Sequence, residues 1–503
     1  MGLDLRIFDD GKLDEAFIGW LLDHQAKENI RRFGRLWEYY SNPMTETAGE
    51  GDCESARGYR QAQEMGLPAR ITGAIPCGSF EQIGLRRSPQ IQRKEVVIEN
   101  DIAWRVNAMV DFLFGKGVRM VSQSPEPSKR RIIERILTAV ISSNGGVGFF
   151  QELAALGSVY GFVDCVIRPG EEWRTQNRPS ITDPRRNDSE VVEAAVRQAS
   201  EITLELIEAP RALPVLDEND YRKIRYFVQH FRQPQNAVAS GGGWLSRLIG
   251  GAAGDRRRAV VITEILGPMA WQRYEDDELV AEGDNPLGAV PVVHIQNLAQ
   301  PYRYEGLSDV EPLIGLQDEL NTRLSDRASR ITFQSFKMYL VKGLDGAYER
   351  PVAPGRMWCT DNADAKIETF GGDDGSPSEE QHIEQIREAM DKISGVTPVV
   401  AGLLKNKIGN LTSGVALKMT YMGMLAKTLR KQRTYGEGIC TILRMALELL
   451  DRYGIFRTAA EDRQVEIVFP NPLPEDAMER LQEAKTKLEL GIDSQTVLKE
   501  LGY

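Results

Sequence analysis

The sequence lacks the motifs by which many enzymes and metal proteins are recognised. It contains no Walker A loop, no Gly-x-Ser-x-Gly elbow and no His-Glu-x-x-His pair. Its four histidines are not paired with cysteines at ligand spacing, and its five cysteines form no Cys-x-x-Cys pair. We therefore expect the reduced cysteines of a cytosolic protein, and no catalytic residue, metal or cofactor.

Long apolar runs and an excess of positive charge are also missing. No segment is apolar over the length that crosses a bilayer, so we expect neither a signal peptide nor a membrane span. The formal net charge of −11 argues against a protein that binds DNA through a broad basic face. Apolar residues form 42% of the 503 residues, which is enough for real cores, and the length predicts several modules.

The N-terminal 95 residues predict a helix followed by a flexible arm. The helix covers about residues 13–40, and glycine, serine, proline and mixed charges after residue 41 favour an irregular segment. The helical pattern predicts these buried side chains: Phe17, Leu21, Ile30, Phe33 and Trp37.

Residues 96–306 predict a mixed region of helices and strands. The apolar periodicity favours helices over 96–117, 129–143 and 148–157. The predicted strands are 160–167, 203–208, 221–231, 258–266, 269–274 and 290–295. Asp276 and Asp277 fall in a predicted turn, where nothing nearby suggests a matched acid and base.

Two capped helices flank a short, turn-rich insert. Ser308 and Glu311 have the spacing of a capping box, and Ser376 with Pro377 begins the second helix. The expected apolar stripes are Leu313, Leu316, Leu320, Leu324 and Ile331 on the first helix, and Ile383, Ile386, Met390 and Ile393 on the second. The insert predicts a strand over 337–341 that could pair with 366–368. On this pattern alone, an ordinary helical hairpin is an equally good interpretation.

A long helix follows a loop at residues 396–412. It covers about 413–453, and its interior glycines Gly423, Gly436 and Gly438 predict kinks or a break. The remaining chain predicts a strand over 465–469 and helices over 475–490 and 494–501.

In the order and size of these parts, the chain from about residue 96 resembles the portal proteins of tailed bacteriophages, of the siphophage and gene-transfer-agent type. The resemblance implies an α+β portal fold that forms rings. It implies the following parts: a mixed α/β wing (96–306), a first stem helix (307–334), a clip (335–375), a second stem helix (376–395), a channel loop (396–412), a long kinked wing helix (413–453) and a short helical crown (454–503).

The resemblance also implies a function without enzymatic activity. A dodecameric ring at one capsid vertex would let double-stranded DNA pass non-specifically during packaging and ejection. The implied partners are the large terminase subunit, the head–tail adaptor, and the major capsid and scaffolding proteins, with no membrane. The implied location is the virion, after synthesis in the host cytoplasm.

Three groups of residues are the candidate sites. The channel loop offers donors suited to phosphate oxygens: Lys405, Asn406, Lys407 and Asn410. Without the resemblance, these residues would only keep a surface loop soluble. The resemblance implies stem residues that face the channel or a neighbouring subunit, Arg323, Arg327 and Arg330. The clip displays aromatic side chains that are favoured at interfaces: Tyr339, Tyr348 and Trp358.

A metal-dependent enzyme that processes nucleic acid is the alternative function. It would use scattered carboxylates, and clusters of acids at strand ends would favour it. Many acids of this chain instead fall at predicted helix starts, where capping and the helix dipole explain them. A nuclease assay with divalent metal separates the two hypotheses.

Overall fold

The computed structural model describes residues 3–8, 13–41, 97–170, 173, 188–236, 257–335, 338–342, 364, 366–370, 377–398, 419, 421–473, 477–491, 493–494 and 497. The chain divides into two compact units. The first unit contains Met1–Trp37, Arg105–Glu311 and Val399–Tyr503, and the second contains Glu38–Trp104 and Pro312–Pro398.

Helices and strands alternate along the described chain. In chain order the helices are α1 (Glu15–Trp20), α2 (Ala26–Ser41), α3 (Asp101–Phe114), α4 (Pro127–Ser143), α5 (Val147–Tyr160), α6 (Asp188–Ala199), α7 (Ile314–Ser335), α8 (Pro377–Ser394), α9 (Met422–Arg452) and α10 (Ala477–Glu489). The strands are β1 (Arg119–Ser122), β2 (Phe162–Arg168), β3 (Thr203–Ile207), β4 (Ala212–Leu216), β5 (Ile224–Asn236), β6 (Arg257–Leu266), β7 (Ala270–Glu275), β8 (Glu278–Asp284), β9 (Val292–Gln296), β10 (Met338–Lys342), β11 (Lys366–Phe370) and β12 (Val465–Val468).

A π-helical turn, Leu21–Gln25, lies between α1 and α2, and part of the predicted core face of the N-terminal helix is exposed. Leu21 and Phe33 are buried as predicted, but Phe17, Ile30 and Trp37 are 37%, 56% and 39% exposed, so their predicted burial is wrong. A π-helical turn holds more residues than an α-helical turn, which shifts the phase of the side chains. Phe17 and Trp37, however, lie four residues from the buried Leu21 and Phe33 without crossing this turn, so they mark the exposed edge of the buried face.

The first unit contains a five-stranded antiparallel sheet of order β4-β5-β6-β7-β8. Predicted strands correspond to β5, β6 and β7, whereas β4 and β8 were not predicted. Both are edge strands, and their polar residues or proline weaken the strand pattern. Asp276 and Asp277 form the turn between β7 and β8 with φ of 47° and 70°, which agrees with the predicted turn.

A three-stranded sheet of order β3-β2-β9 packs against α9 in the first unit. A Cβ atom at Gly438 would lie 2.4 Å from the side chain of Ile295, so glycine permits close approach of the helix to β9. Of the kinks or break predicted at the interior glycines, the break does not occur, because α9 is continuous from Met422 to Arg452. Residues 413–418, at the predicted start of this helix, lie outside the described chain.

The chain's last described strand belongs to the first unit. β12 pairs antiparallel with β1, so that Met120 is opposite Ile467, and β12 also packs on α9. This strand and α10 agree with the strand and the helix predicted at 465–469 and 475–490.

The second unit contains α7, α8 and the strand pair β10–β11. The pairing predicted for the insert is confirmed, with Met338 opposite Phe370 and Lys342 opposite Lys366. Most of the predicted apolar stripes on α7 and α8 are buried, including Leu320, Leu324 and Met390.

The ends of these two stripes differ from the prediction. Ile331 and Ile393 are exposed, and Leu316 is half-buried. In α7 the buried face is shared with the polar residues Gln317 and Asn321, which are fully buried. An apolar pattern therefore identifies only part of the buried face.

Candidate functional site

A buried polar cluster links α9 to the segment that leads into α7. Lys427 and Lys431 lie four residues apart on one face of α9, and both bind the carboxylate of Asp309. The Nζ atom of Lys427 lies 2.8 Å from Asp309 Oδ1, and that of Lys431 lies 2.5 Å from Oδ2. The side chains of Lys431 and Asp309 are 1% and 9% exposed, so water contributes little to their solvation.

Uncharged groups complete this Asp309 cluster. Lys431 donates to the Oγ of Ser158 at 2.7 Å, and the main-chain N–H of Asp309 donates to the carbonyl of Ser158 at 2.8 Å. Tyr435, one turn further along α9, donates to Asn297 Oδ1 at 2.9 Å. Asn297 in turn donates to Asp309 Oδ2 at 3.3 Å. Residues from α5, α9 and the loop after β9 thus share one hydrogen-bonded network.

The pKa values in the Asp309 cluster follow from burial and from the two ammonium groups. Burial by itself raises the pKa of Asp309, but the charges of Lys431 and Lys427 outweigh it and hold that pKa well below its usual range. Burial lowers the pKa of Lys431, against the opposing attraction of Asp309. Burial also raises the pKa of Tyr435 well above its ordinary value, so that its hydroxyl remains a donor. Asp309 is therefore a paired anion and is unsuited to proton transfer.

Ser308, beside Asp309, begins the next turn. Its Oγ accepts from the main-chain N–H groups of Val310 and Glu311, at 3.0 and 3.2 Å, and donates to the carbonyl of Val159 at 2.6 Å. The first of these roles agrees with the predicted cap. Together, Ser308 and Asp309 fix the start of the turn Glu311–Leu313, which continues into α7.

A second polar system, within the second unit, joins α7 to an extended segment before α3. Gln317, Asn321 and Ser325 accept from the main-chain N–H groups of residues 101, 99 and 97, at 3.1, 3.0 and 2.9 Å. Four residues of helix rise about 6 Å and two residues of extended chain about 6.6 Å, so the two repeats match. We call these three side chains and their main-chain partners the α7 ladder.

Sequence reasoning missed both the Asp309 cluster and the α7 ladder. The sequence signal for the ladder is a polar residue at every fourth position of α7, namely Gln317, Asn321 and Ser325. The prediction for this helix considered only its apolar residues. The signal for the cluster is weaker, because two lysines at the same spacing are common on solvated helices.

Two of the predicted stem arginines are paired within the second unit. Arg323 binds Glu319 at 2.6 Å and Asp326 at 3.2 Å, both on α7. Arg330 binds Glu379 of α8 at 2.5 Å. Arg327 is half-buried.

The other predicted site residues fall mainly outside the described chain. Only Tyr339 is among the described residues, and its Cα is opposite Thr369 in the β10–β11 pair. The residues that lie outside are Tyr348, Trp358, Lys405, Asn406, Lys407 and Asn410.

The described residues contain neither a candidate metal cluster nor a membrane-spanning helix. Within the described ranges, no three His, Cys, Asp or Glu side chains are grouped so that they could hold a metal ion. Of the helices described, none combines the length and apolar character needed to cross a bilayer.

Comparison with known proteins assigns the chain to a family. The sequence model of the family described as "Phage portal protein, SPP1 Gp6-like" matches residues 189–502. The chain therefore belongs to this family of bacteriophage portal proteins, which are components of the virion. No curated protein sequence matches the chain significantly.

Two solved structures that align with this chain are described as "Virion of native gene transfer agent (GTA) particle" and "Neck of empty GTA particle computed with C6 symmetry". Their sequences are 13% and 12% identical to this chain, and the TM-score is 0.41 for each. In both cases the alignment covers 78% of this chain and 87% of the other.

Proposed function

We propose that this chain forms the portal ring through which double-stranded DNA enters and leaves a phage-like capsid. The family match over residues 189–502 carries the proposal. The order of described elements supports it, because a pair of helices brackets a small strand pair and a long helix follows. In this proposal α7 and α8 are the stem, β10 and β11 belong to the clip, and α9 is the long wing helix.

The ring is dodecameric in this proposal and has no enzymatic activity of its own. The mixed α/β part before α7 serves as the wing, and the residues after α9 serve as a short crown. The major capsid and scaffolding proteins surround the ring during assembly in the host cytoplasm, after which the ring remains in the virion.

The channel is proposed to hold DNA weakly. The chain carries a net charge of −11, and Arg323 and Arg330 are already paired with carboxylates of the same chain. Paired arginines contribute little to the long-range attraction of a polyanion. Residual contacts come from Lys405, Asn406, Lys407 and Asn410 in the loop at 396–412, which offer donors for phosphate without reading bases.

The clip is proposed to dock first the large terminase subunit and later the head–tail adaptor. Aromatic residues of the insert, Tyr339, Tyr348 and Trp358, are of the type that anchors interfaces. Trp358→Ala should weaken binding of these partners while the ring remains intact.

Light scattering and electron microscopy of the purified protein test the ring. A closed ring without any added cofactor is expected, and a stable monomer at micromolar concentration contradicts the proposal. The channel is tested by packaging with Lys405→Ala and Lys407→Ala together. The amount of DNA packaged should change, while the matched double variant Lys223→Ala with Lys485→Ala, at exposed positions outside the stem and the channel loop, should behave as wild type.

A further inference from the structure

The outer face of the first half of α9 exposes apolar side chains. Met422 and Leu429 are 68% and 60% exposed, and Arg430 and Arg433 are exposed beside them. With 3.6 residues per turn, these four positions fall within about 100° of the helix circumference. We call these four side chains the α9 stripe. Exposed apolar side chains that are grouped on one face of a helix mark an interaction surface.

The α9 stripe is also positively charged. The sequence from Met419 to Gly436 contains no acidic residue. Arg430 and Arg433 form no ion pair with any residue that the structure describes. The stripe therefore offers two guanidinium groups beside apolar side chains, and it suits a partner surface that is both acidic and apolar.

A surface of this kind lies on β8, at one edge of the five-stranded sheet. Leu279, Glu282 and Asp284 are opposite residues 274, 272 and 270 of β7, so all three side chains project from one face of the sheet. Leu279 is 42% exposed, and the two acidic residues are exposed as well. Val280, the extra residue of a β-bulge, adds a second apolar side chain that is 57% exposed. We call these four side chains the β8 strip.

The β8 strip keeps its negative charge. Glu282 accepts a hydrogen bond from Gln272 at 3.0 Å, and Gln272 also donates to the main-chain carbonyl of Asp4. The nearby cation Arg6 is paired with the carboxylate of Asp4 at 2.6 Å. Among the described residues, neither Glu282 nor Asp284 has a cationic partner. The strip is therefore complementary in charge to the α9 stripe.

The α9 stripe and the β8 strip cannot meet within one chain. The C-terminal part of α9 approaches the sheet at a cleft that is lined by Leu449, Trp271 and Gly283. Trp271 and Gly283 are opposite one another, so their side of the sheet is the face away from the β8 strip. Arg433 precedes Leu449 by more than four turns of a continuous helix, about 24 Å. A contact between the two surfaces must therefore join two copies of the chain.

The dimensions of the two surfaces also agree. From Met422 to Arg433, α9 rises about 16 Å, and from Leu279 to Asp284, β8 extends about 15 Å. In each surface the apolar side chains begin at one end and the charged side chains lie at the other. One orientation therefore brings apolar side chains together and opposite charges together at the same time.

We propose that the α9 stripe of one subunit packs on the β8 strip of the next, with Arg430 and Arg433 paired to Glu282 and Asp284. The contact is head-to-tail, because it joins two different surfaces, and repeated contacts of this kind can close a ring. A DNA duplex would use only the two arginines, so the apolar part of the stripe favours a protein partner. The inference rests on the proposed ring, because neighbouring subunits supply the second copy.

Carbodiimide cross-linking with peptide mass spectrometry tests the contact, because it joins an amine to a carboxylate that touches it. The double variant Arg430→Lys with Arg433→Lys supplies amines and keeps the charge. Its rings should yield a cross-link from position 430 or 433 to Glu282 or Asp284, whereas wild-type rings have no amine at these positions and should yield none. The matched control is Arg444→Lys, at an exposed position further along α9, which should give no cross-link to the β8 strip.

Mixed rings then test whether the cross-link joins two subunits. One tagged chain carries both lysine substitutions together with Glu282→Gln and Asp284→Asn, and the other chain is wild type. Rings of either chain alone should give no cross-link, and mixed rings should join the tagged chain to the wild-type chain. All four substitutions lie at exposed positions, so light scattering should find the same ring mass for each preparation.

The outcomes separate this inference from the proposed function. Rings of the lysine variant that give no cross-link, or mixed rings that give none between the two chains, overturn the inference and leave the ring intact. If no cross-link forms and the rings bind duplex DNA less well after Arg430→Gln with Arg433→Gln, the α9 stripe binds DNA and the inference is wrong. A chain that stays monomeric overturns both the inference and the proposed function.

Discussion

The Asp309 cluster and the α7 ladder each join segments that are distant in the sequence through buried polar groups, but the cluster is charged and the ladder is neutral. Each places polar side chains at four-residue spacing on a helix and binds residues distant in the sequence. The Asp309 cluster uses full charges, whereas the ladder uses neutral amides and a hydroxyl. Removing one member of a buried ion pair leaves a charge without a partner, which costs more than losing a neutral hydrogen bond.

The largest effect is expected for Asp309→Asn. The substitution keeps the shape but leaves Lys427 and Lys431 facing a neutral amide, at a cost of about 3–5 kcal/mol. Hydrogen exchange of the α9 amides should reveal this loss as faster opening. The control is Asp462→Asn. Its partner Lys129 is 26% exposed, so water stabilises the ammonium group and loss of the carboxylate charge should cost less stability. If both variants lost the same stability, burial of the lysine ammonium groups would not explain the cost of Asp309→Asn.

Acid should affect the Asp309 cluster in a defined direction. The pKa of Asp309 is depressed in the folded protein, so its contribution to stability is present above the unfolded pKa of about 3.9 and is lost as pH falls through the folded pKa. The stability of the wild type should therefore fall more steeply below about pH 4 than that of Asp309→Asn. Urea unfolding across this range measures the difference. Parallel pH profiles would show that the pKa of Asp309 does not change on folding.

A smaller effect is expected in the α7 ladder. Asn321→Ala leaves the N–H of Glu99 without its acceptor, at a cost of about 1–3 kcal/mol. The expected result is faster hydrogen exchange at residues 97–101, with the α9 amides unchanged. Ser325→Ala should act in the same direction at Val97. If exchange at α9 rises equally, the ladder is not a local contact.

The smallest effect is expected for Arg323→Ala. Its ion pairs with Glu319 and Asp326 are about one-third exposed, and such helix-surface pairs contribute about 0.3–0.5 kcal/mol. The midpoint of urea unfolding should barely move. A loss of stability as large as that of Asp309→Asn would contradict this expectation. Burial would then not explain why the Asp309 cluster contributes more than an exposed ion pair.

Capping and periodicity were the most reliable sequence signals. Ser308 caps the turn before α7, and Pro377 begins α8, because caps depend on side chains within a few residues of the backbone they bind. The positions of α4 and α5 followed from the helical period of their apolar residues, and β10 and β11 followed from the strand pattern of the insert. The family resemblance also depended on the order of such elements.

Burial was harder to predict than helix or strand. Local periodicity predicted a helix over about residues 13–40, but packing against distant segments decides that Phe33 is buried while Trp37, four residues later, stays 39% exposed. Likewise nothing in the sequence around Lys431 distinguishes it from a surface lysine. Its partner Asp309 lies 122 residues away in the chain. Helix formation is decided by neighbours within one turn, whereas the partner of a buried charge is decided by how distant segments pack.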